Sequence, residues 1–410
     1  MDRSLSDQTP LATARGSAPF GTFLIQTEVR FGAGVASELV AALAPYGNRV
    51  LVVTDPGVRR TGLVDRILDP VIDAGSVVKV YDAVSPNPRD HECRAAADFA
   101  LASGATVIVA IGGGSAIDAA KCAAALATNG GTARDWAVPN RLARDPLPLI
   151  AIPTTAGTGS EVTRGAVITD TEHRTKLTVK DPRLAPRLAL VDPSLTVSVP
   201  TAITAATGMD VLTHAIEAYT GRRANAITDA LALHAIRLTA VHLANAYDHG
   251  DDTGAREGMM MASLIAGMAF GNADVAAVHC LAEALGGRYD TPHGVANAVM
   301  LPPVMRYNIV TAPRRHAQVA AALGIDTAGL TDEVAADRAV DAVAALARRL
   351  SVPLLRDLPG VTAADFPALA VTAAANSSTP SNARPIDAAD YEMILRETWA
   401  GAPDGVIWRV

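Results

Sequence analysis

The chain has 410 residues, half of them hydrophobic and 19% charged, with a net charge of -7. That length exceeds one ordinary core, so two domains are expected, and the acidic balance leaves no basic footprint for nucleic acid. Cys93, Cys122 and Cys280 have neither paired nor CxxC spacing, which favours a reducing cytoplasm over a disulfide framework.

The opening MDRSLSDQTPLATARGSAPF is polar and lacks an apolar core segment, so it does not read as a secretory signal. Residues 1–18 are expected to form a flexible arm. No uninterrupted apolar stretch of about 18 residues occurs, so no membrane span is expected. From about residue 20 to 195, short β-branched runs alternate with helical stretches. RVLVVTD (49–55), SVVKVYD (76–82), ATVIVAIGGG (105–114) and PLIAIPTT (148–155) read as strands. ASELVAALAPYG (36–47) and DHECRAAADFALASG (90–104) read as helices. Such alternation predicts βαβ units on a parallel sheet covered on both faces. The stretch 176–195 reads as a strand pair, or as one strand and a crossing segment.

After Pro200 the β-branched runs fade and Ala recurs at helical spacing. DALALHAIRLTAVHLANAY (229–247) and VAADRAVDAVAALARRLSV (334–352) are helices by period. The expected division is an α/β domain over 19–197 and an all-helical domain over 198–410, with a cleft between them. Aromatics are only 4% of the chain, so Ala, Val, Leu and Ile must build the cores.

Several motifs carry chemistry. IGGGSAIDAAK (111–121) follows an apolar strand and opens a helix. Its glycines admit a ligand close to the backbone, and the free N–H groups of the helix suit a pyrophosphate. It is neither GxGxxG nor a Walker loop; a tight turn without ligand is the alternative. Asp118, one turn in, either caps N–H groups or faces a ribose. Asp55 ends the strand LVVTD, where a carboxylate can bind an adenosine ribose and repel a 2′-phosphate, favouring NAD over NADP; a turn before Pro56-Gly57 is the alternative. Asn87 in VSPNPRD is either turn or cofactor contact. IPTTAGTGSEVT (152–163) is dense in hydroxyls and glycines, as a loop wrapped around a polar ligand would be. Lys176 by itself reads as part of a solvated face.

In the helical half, Asp210 and His214 lie four apart in GMDVLTHAIEAYT and share one helix face. His279 and Glu283 are likewise four apart, and His293 follows in the turn beyond. Three imidazoles and one carboxylate from separate segments suit Fe²⁺ or Zn²⁺ rather than Mg²⁺ or Ca²⁺. A run of solvated polar residues is the rival, with Glu217 in HAIEAY as a polar-face member.

The segments GGGSAIDAAK, PTTAGTGSEVT, GMDVLTHAIEAY, TPHGVANAVMLP and SNARP (381–385), in this order, resemble the iron-containing (group III) alcohol dehydrogenases over residues 20 to 400. The resemblance implies a dehydroquinate-synthase-like architecture: a dinucleotide-binding α/β domain, an all-helical domain and a metal between them. It implies metal ligation by Asp210, His214, His279 and His293. It implies cofactor contacts at Asp55, Asn87, Gly113, Gly114, Ser115, Ala116, Ile117, Asp118, Thr154, Thr155, Thr163 and Lys176. It also implies NAD(H) with Fe²⁺ (Zn²⁺ as the other candidate), a small primary alcohol or diol and its aldehyde as substrates, a homodimer or higher oligomer, and a cytoplasmic enzyme. The family often carries HxxxH where this chain reads HCLAE, so Glu283 replaces an imidazole near substrate and nicotinamide. Alternatives of the same architecture are a lyase resembling dehydroquinate synthase, which would use Glu with two His, and a metal-free reductase resembling maleylacetate reductase.

Overall fold

The structure, a computed structural model, describes residues 22–401; the expected arm at 1–18 lies outside them. Eight strands form in chain order: β1 (Glu28–Phe31), β2 (Arg49–Val53), β3 (Val77–Tyr81), β4 (Val107–Gly112), β5 (Leu149–Pro153), β6 (Gly165–Asp170), β7 (Thr175–Lys180) and β8 (Leu188–Val191). Five α-helices accompany them: α1 (Leu39–Leu43), α2 (Pro56–Arg60), α3 (Leu63–Asp73), α4 (Asp90–Ser103) and α5 (Gly114–Asn129).

Six strands make one parallel sheet in the order β1-β8-β5-β4-β2-β3. The inner strands are apolar throughout because both faces are covered. Leu51, Val53, Ile108 and Ala110 pack under α4 and α5. Val50, Val52, Val107 and Val109 face the other way, towards α1 and α3. The segment 176–195 is not a pair: β7 joins β6 in a separate antiparallel hairpin, while β8 enters the main sheet between β1 and β5. Period alone cannot separate these outcomes, since both strands are short and partners are set by topology.

No strand follows Val191 among the described residues. Nine α-helices follow: α6 (Thr201–Thr220), α7 (Ala226–Asp248), α8 (Thr253–Ala273), α9 (Ala277–Tyr289), α10 (His293–Ile309), α11 (Pro313–Ala322), α12 (Asp332–Arg349), α13 (Phe366–Ala374) and α14 (Ala388–Ala400). Helix α6 is mostly apolar and is buried from Thr204 onward except near Ala206 and Thr207, with Asp210, His214 and Glu217 among its buried residues. It packs against α7, α8 and α10. Among the described residues α7 is the one helix long and apolar enough to cross a membrane by length and composition; it packs on α6 and α8.

The passage from sheet to α6 is pinned by Arg256. This buried guanidinium donates to Thr204 Oγ1 at 2.8 Å, Gly250 O at 2.8 Å and Val199 O at 3.2 Å. The loop after β5 docks on α8 through two glycines. Gly159 has φ +57°, and a Cβ there would lie 2.5 Å from Gly267 Cα. Any side chain would force the two halves apart.

Candidate active site

The two halves enclose a cleft of about 420 Å³, lined on one side by Gly114, Ser115 and Asp118 and on the other by His214, His279 and His293. On the sheet side, α5 starts at the C-terminal end of β4 with Gly113 as its N-cap and no side chain capping it. Its first N–H groups are therefore available to an anion. Gly114 is required by close approach, since a Cβ there would sit 2.5 Å from Thr158 Cγ2. Ser115 lines the cleft with it, whereas Ala116 and Ile117 are buried.

Asp118 neither caps its own helix nor stands free. Its Oδ2 accepts from Val167 N at 2.9 Å, and Oδ1 accepts from Ser160 Oγ. The fully buried Lys121 donates to Ser160 Oγ at 2.9 Å, Thr163 Oγ1 at 3.0 Å and Gly165 O at 2.8 Å, with Asp118 3.7 Å away. These two side chains lock the hydroxyl-rich loop onto α5. Thr154 is buried with Oγ1 lacking a partner among the described residues, and Thr155 Oγ1 lies over Gly113. Asp55 caps α2, its Oδ1 accepting from Gly57 N at 2.8 Å and Val58 N at 3.0 Å. Its Oδ2 lies beside Gly112 in the glycine turn.

Asn87 takes the left-handed conformation, φ +57°, which Asn tolerates. It also joins the two halves: Nδ2 donates to Asp290 Oδ1 at 3.0 Å and Thr291 O at 3.3 Å, and Oδ1 accepts from Lys176 Nζ at 2.9 Å. Lys176 is thus no member of a solvated face. Burial pulls its ammonium down to about 8, against the opposing influence of Glu283 and Asp290. The β6–β7 hairpin carries it inward, which its sequence neighbours do not reveal.

On the helical side, Asp210 and His214 project from α6, His279 from α9, and His293 is the first residue of α10 rather than a turn residue. One ligand atom from each of the four lies within 4.8 Å of the others. Asp210 Oδ1 is 3.9 Å from His214 Nδ1, 3.9 Å from His279 Nε2 and 3.8 Å from His293 Nε2. His214 stacks on Phe270 with ring centroids 4.1 Å apart. Burial depresses His293 to about 3 and His214 well below its usual range, so both rings are neutral and able to ligate. His214 Nδ1 is buried without a hydrogen-bond partner among the described residues. An unpaired buried nitrogen is costly, and three imidazoles with one carboxylate form a donor set suited to Fe²⁺ or Zn²⁺. The residues fit a divalent metal.

Two residues complete the centre, Glu217, which the sequence places on a polar face, and Asn297, which it does not single out. Glu217 is no polar-face residue: it is 4% exposed, and Oε2 lies 2.6 Å from His279 Nδ1. It also accepts from Ala276 N at 2.9 Å and Val278 N at 2.7 Å. Burial works against a charged His279, but Glu217 and Asp210 overcome it and hold the ring above its usual range. Asn297, fully buried, donates from Nδ2 to Asp210 Oδ1 at 2.6 Å and stands 3.2 Å from His279 Nε2 and 3.1 Å from His293 Nε2. The available signals were helical spacing: Glu217 is seven residues after Asp210, and Asn297 four after His293. Glu283 also lines the cleft, with Asn376 Nδ2 donating to its Oε2 at 2.7 Å. Burial pushes its carboxyl up, opposed by His279, Asn376 and Lys176.

A parallel α/β layer ending in an open helix N-terminus, facing an Asp-His₃ cluster in a helical layer, defines a class of protein that can hold a dinucleotide beside a divalent metal. The family model for iron-containing alcohol dehydrogenase matches residues 26–193, and that for the C-terminal part of the Fe-containing alcohol dehydrogenase family matches residues 204–399. The chain belongs to the iron-containing alcohol dehydrogenase family, which implies iron and NAD(H). It is 42% identical over 356 residues to 1,3-propanediol dehydrogenase of Klebsiella pneumoniae, covering 86% of this chain and 92% of that one. A crystal structure of 1,3-propanediol oxidoreductase superposes with a TM-score of 0.89 at 40% identity, covering 93% of this chain and all of that one. A sulfoacetaldehyde reductase from Bifidobacterium kashiwanohense in complex with NAD⁺ superposes at 0.82 and 30% identity, covering 94% of this chain and all of that one.

Proposed function

We propose that this enzyme interconverts a small primary alcohol, or a diol, with its aldehyde, using NAD(H) and one divalent metal held by Asp210, His214, His279 and His293. The observation that carries this reading is the convergence of those four side chains across one cleft from the uncapped start of α5. Held there, the metal would supply Lewis acidity and the nicotinamide cofactor the capacity for hydride transfer. The chain's own residues bind and orient. The N–H groups at Gly114 and Ser115 receive the pyrophosphate, Asp55 the adenosine ribose, and Thr154, Thr155, Thr163, Asn87 and Lys176 the remainder of the cofactor. Glu217 holds His279 in one tautomer and orientation, and Asn297 holds Asp210.

The same reading divides the chain into an NAD-binding domain over 19–197 and a metal-binding domain over 198–410. It takes the enzyme as cytoplasmic, as a homodimer or higher oligomer, and as holding Fe²⁺, with Zn²⁺ as the alternative metal. The test is a panel of alcohols and aldehydes with NAD(H) and NADP(H), on protein reconstituted with Fe²⁺ or with Zn²⁺. NAD-linked turnover dependent on added metal is the expected result. Turnover of no member of the panel with either metal refutes the reading.

A further inference from the structure

Glu283 stands one helical turn after His279 on α9, so both side chains leave the same face with Cβ atoms about 5–6 Å apart. Its carboxyl opens into the cleft. One oxygen is already used: Oε2 accepts from Asn376 Nδ2 at 2.7 Å, and Asn376 is itself held by Ser378 N, which donates to its Oδ1 at 2.9 Å. The Asn376 bond is the one hydrogen bond of the Glu283 carboxyl among the described residues, so Oε1 is left without a partner there. Lys176 Nζ makes no such contact: it donates to Asn87 Oδ1 at 2.9 Å and to Thr169 Oγ1 at 2.8 Å, and acts on Glu283 only through its charge. The neighbouring Asp274 differs. Its oxygens are taken by Ser378 Oγ at 3.1 Å, Ser381 Oγ at 2.8 Å and Arg223 Nη1 at 3.2 Å. Among the described residues Glu283 Oε1 is therefore an acceptor left open at this end of the cleft, on a side chain that Asn376 holds in place.

We propose that Glu283 selects the substrate: Oε1 accepts a hydrogen bond from a donor group, hydroxyl or ammonium, two or three carbons beyond the reacting carbinol, and a carboxylate at that place is rejected. The inference rests on the alcohol–aldehyde reading above. One turn of helix separates Glu283 from the ligand His279, which matches a short chain lying between metal centre and acceptor. A hydrogen bond from substrate to a charged acceptor is strong, and an apolar methyl in its place leaves a buried polar atom unpaired. Discrimination of about 10- to 100-fold follows from that difference.

The test compares kcat/KM for 1-propanol, 1,3-propanediol, 3-amino-1-propanol and 3-hydroxypropionate in the metal-loaded enzyme and in its Glu283→Gln and Glu283→Leu variants. The ratio of each compound to 1-propanol is the readout. The unaltered enzyme should favour a donor compound about 10- to 100-fold, and Glu283→Leu should bring that ratio near one, mainly through KM. Glu283→Gln keeps an acceptor without the charge. A diol as natural substrate keeps most of its ratio there; an amino alcohol loses it; the hydroxy acid gains in either case. The same compounds are ranked by their shift of Tm with NADH present, a readout that stands even if none is turned over. Ratios and Tm ranking unchanged in both variants overturn the proposal. So does a loss of bound metal in Glu283→Gln with the ratios preserved, because Glu283 would then serve the metal centre instead. Failure of the alcohol–aldehyde reading shows separately, as no turnover of any alcohol or aldehyde while the Tm ranking still depends on residue 283.

Discussion

Glu217 and His279 are joined within the metal centre: Oε2 lies 2.6 Å from Nδ1, and the same carboxylate receives the N–H groups of Ala276 and Val278 at the start of α9. One side chain on α6 thus fixes both the ring and the helix that carries it. Glu217→Ala leaves all three donors unpaired. Metal affinity should fall about 10- to 100-fold, measured by competition with a chelator of known affinity. An unchanged Kd refutes this role for Glu217.

Removal of the metal should abolish turnover and leave the sheet side intact. In His279→Ala most of the metal should be lost, while NADH binding, followed by its fluorescence, stays within a few-fold. The Asp-His₃ cluster motivates the prediction. Full activity of a chelated, metal-free sample would exclude it.

Asp55 stands at the glycine turn with one oxygen on the N–H groups of α2 and the other beside Gly112. It should repel a 2′-phosphate, so kcat/KM should favour NAD over NADP, and Asp55→Gly should narrow the gap. Glycine is tolerated at an N-cap at a cost of only a few tenths of a kcal/mol, so a loss of fold does not confuse the result. Equal use of both cofactors by the unaltered enzyme contradicts the assignment.

Lys176 has its ammonium pulled down to about 8 by burial. It is charged below that pH and neutral above it. If the charge holds the cofactor, kcat/KM for NAD should decline as pH rises through about 8, and Lys176→Met should show a lower value without that bend. A bend retained in the variant assigns the ionisation elsewhere.

Glu161 is 2% exposed, Oε1 lacks a partner among the described residues, and burial pushes its carboxyl from 4.5 up to about 7 against the pull of Lys121. The folded value is raised, so its relative contribution is favourable below about 4.5 and is lost as pH rises through about 7. Glu161→Gln should therefore stabilise the protein at pH 8, on the order of 3 kcal/mol, and hardly at all near pH 4.5. Denaturant unfolding at the two pH values measures it. A gain independent of pH is evidence against a buried charge.

Local pattern determined much of this protein. Buried parallel strands are apolar without interruption, so β2, β4 and β5 are visible as runs. A turn that must admit an anion needs glycine, so the start of α5 is visible in IGGGS. Ligand residues four apart on a helix share a face, which paired Asp210 with His214 before any partner was known. The short strands β1 and β6 have no such pattern, and β7 and β8 could be assigned to different sheets only once their partners were in place. What tertiary structure alone decided was burial and long-range pairing. Lys176 turns inward because the β6–β7 hairpin packs against α5 and α9. Glu217, which in sequence is one more polar residue on a helix, meets His279 62 residues away. Asp118 reaches Val167, 49 residues on, instead of the N–H groups of its own helix. Period reports which face a side chain leaves; only the packed chain sets what that face meets, because a buried polar group takes its partner from whichever segment the topology brings within hydrogen-bond reach.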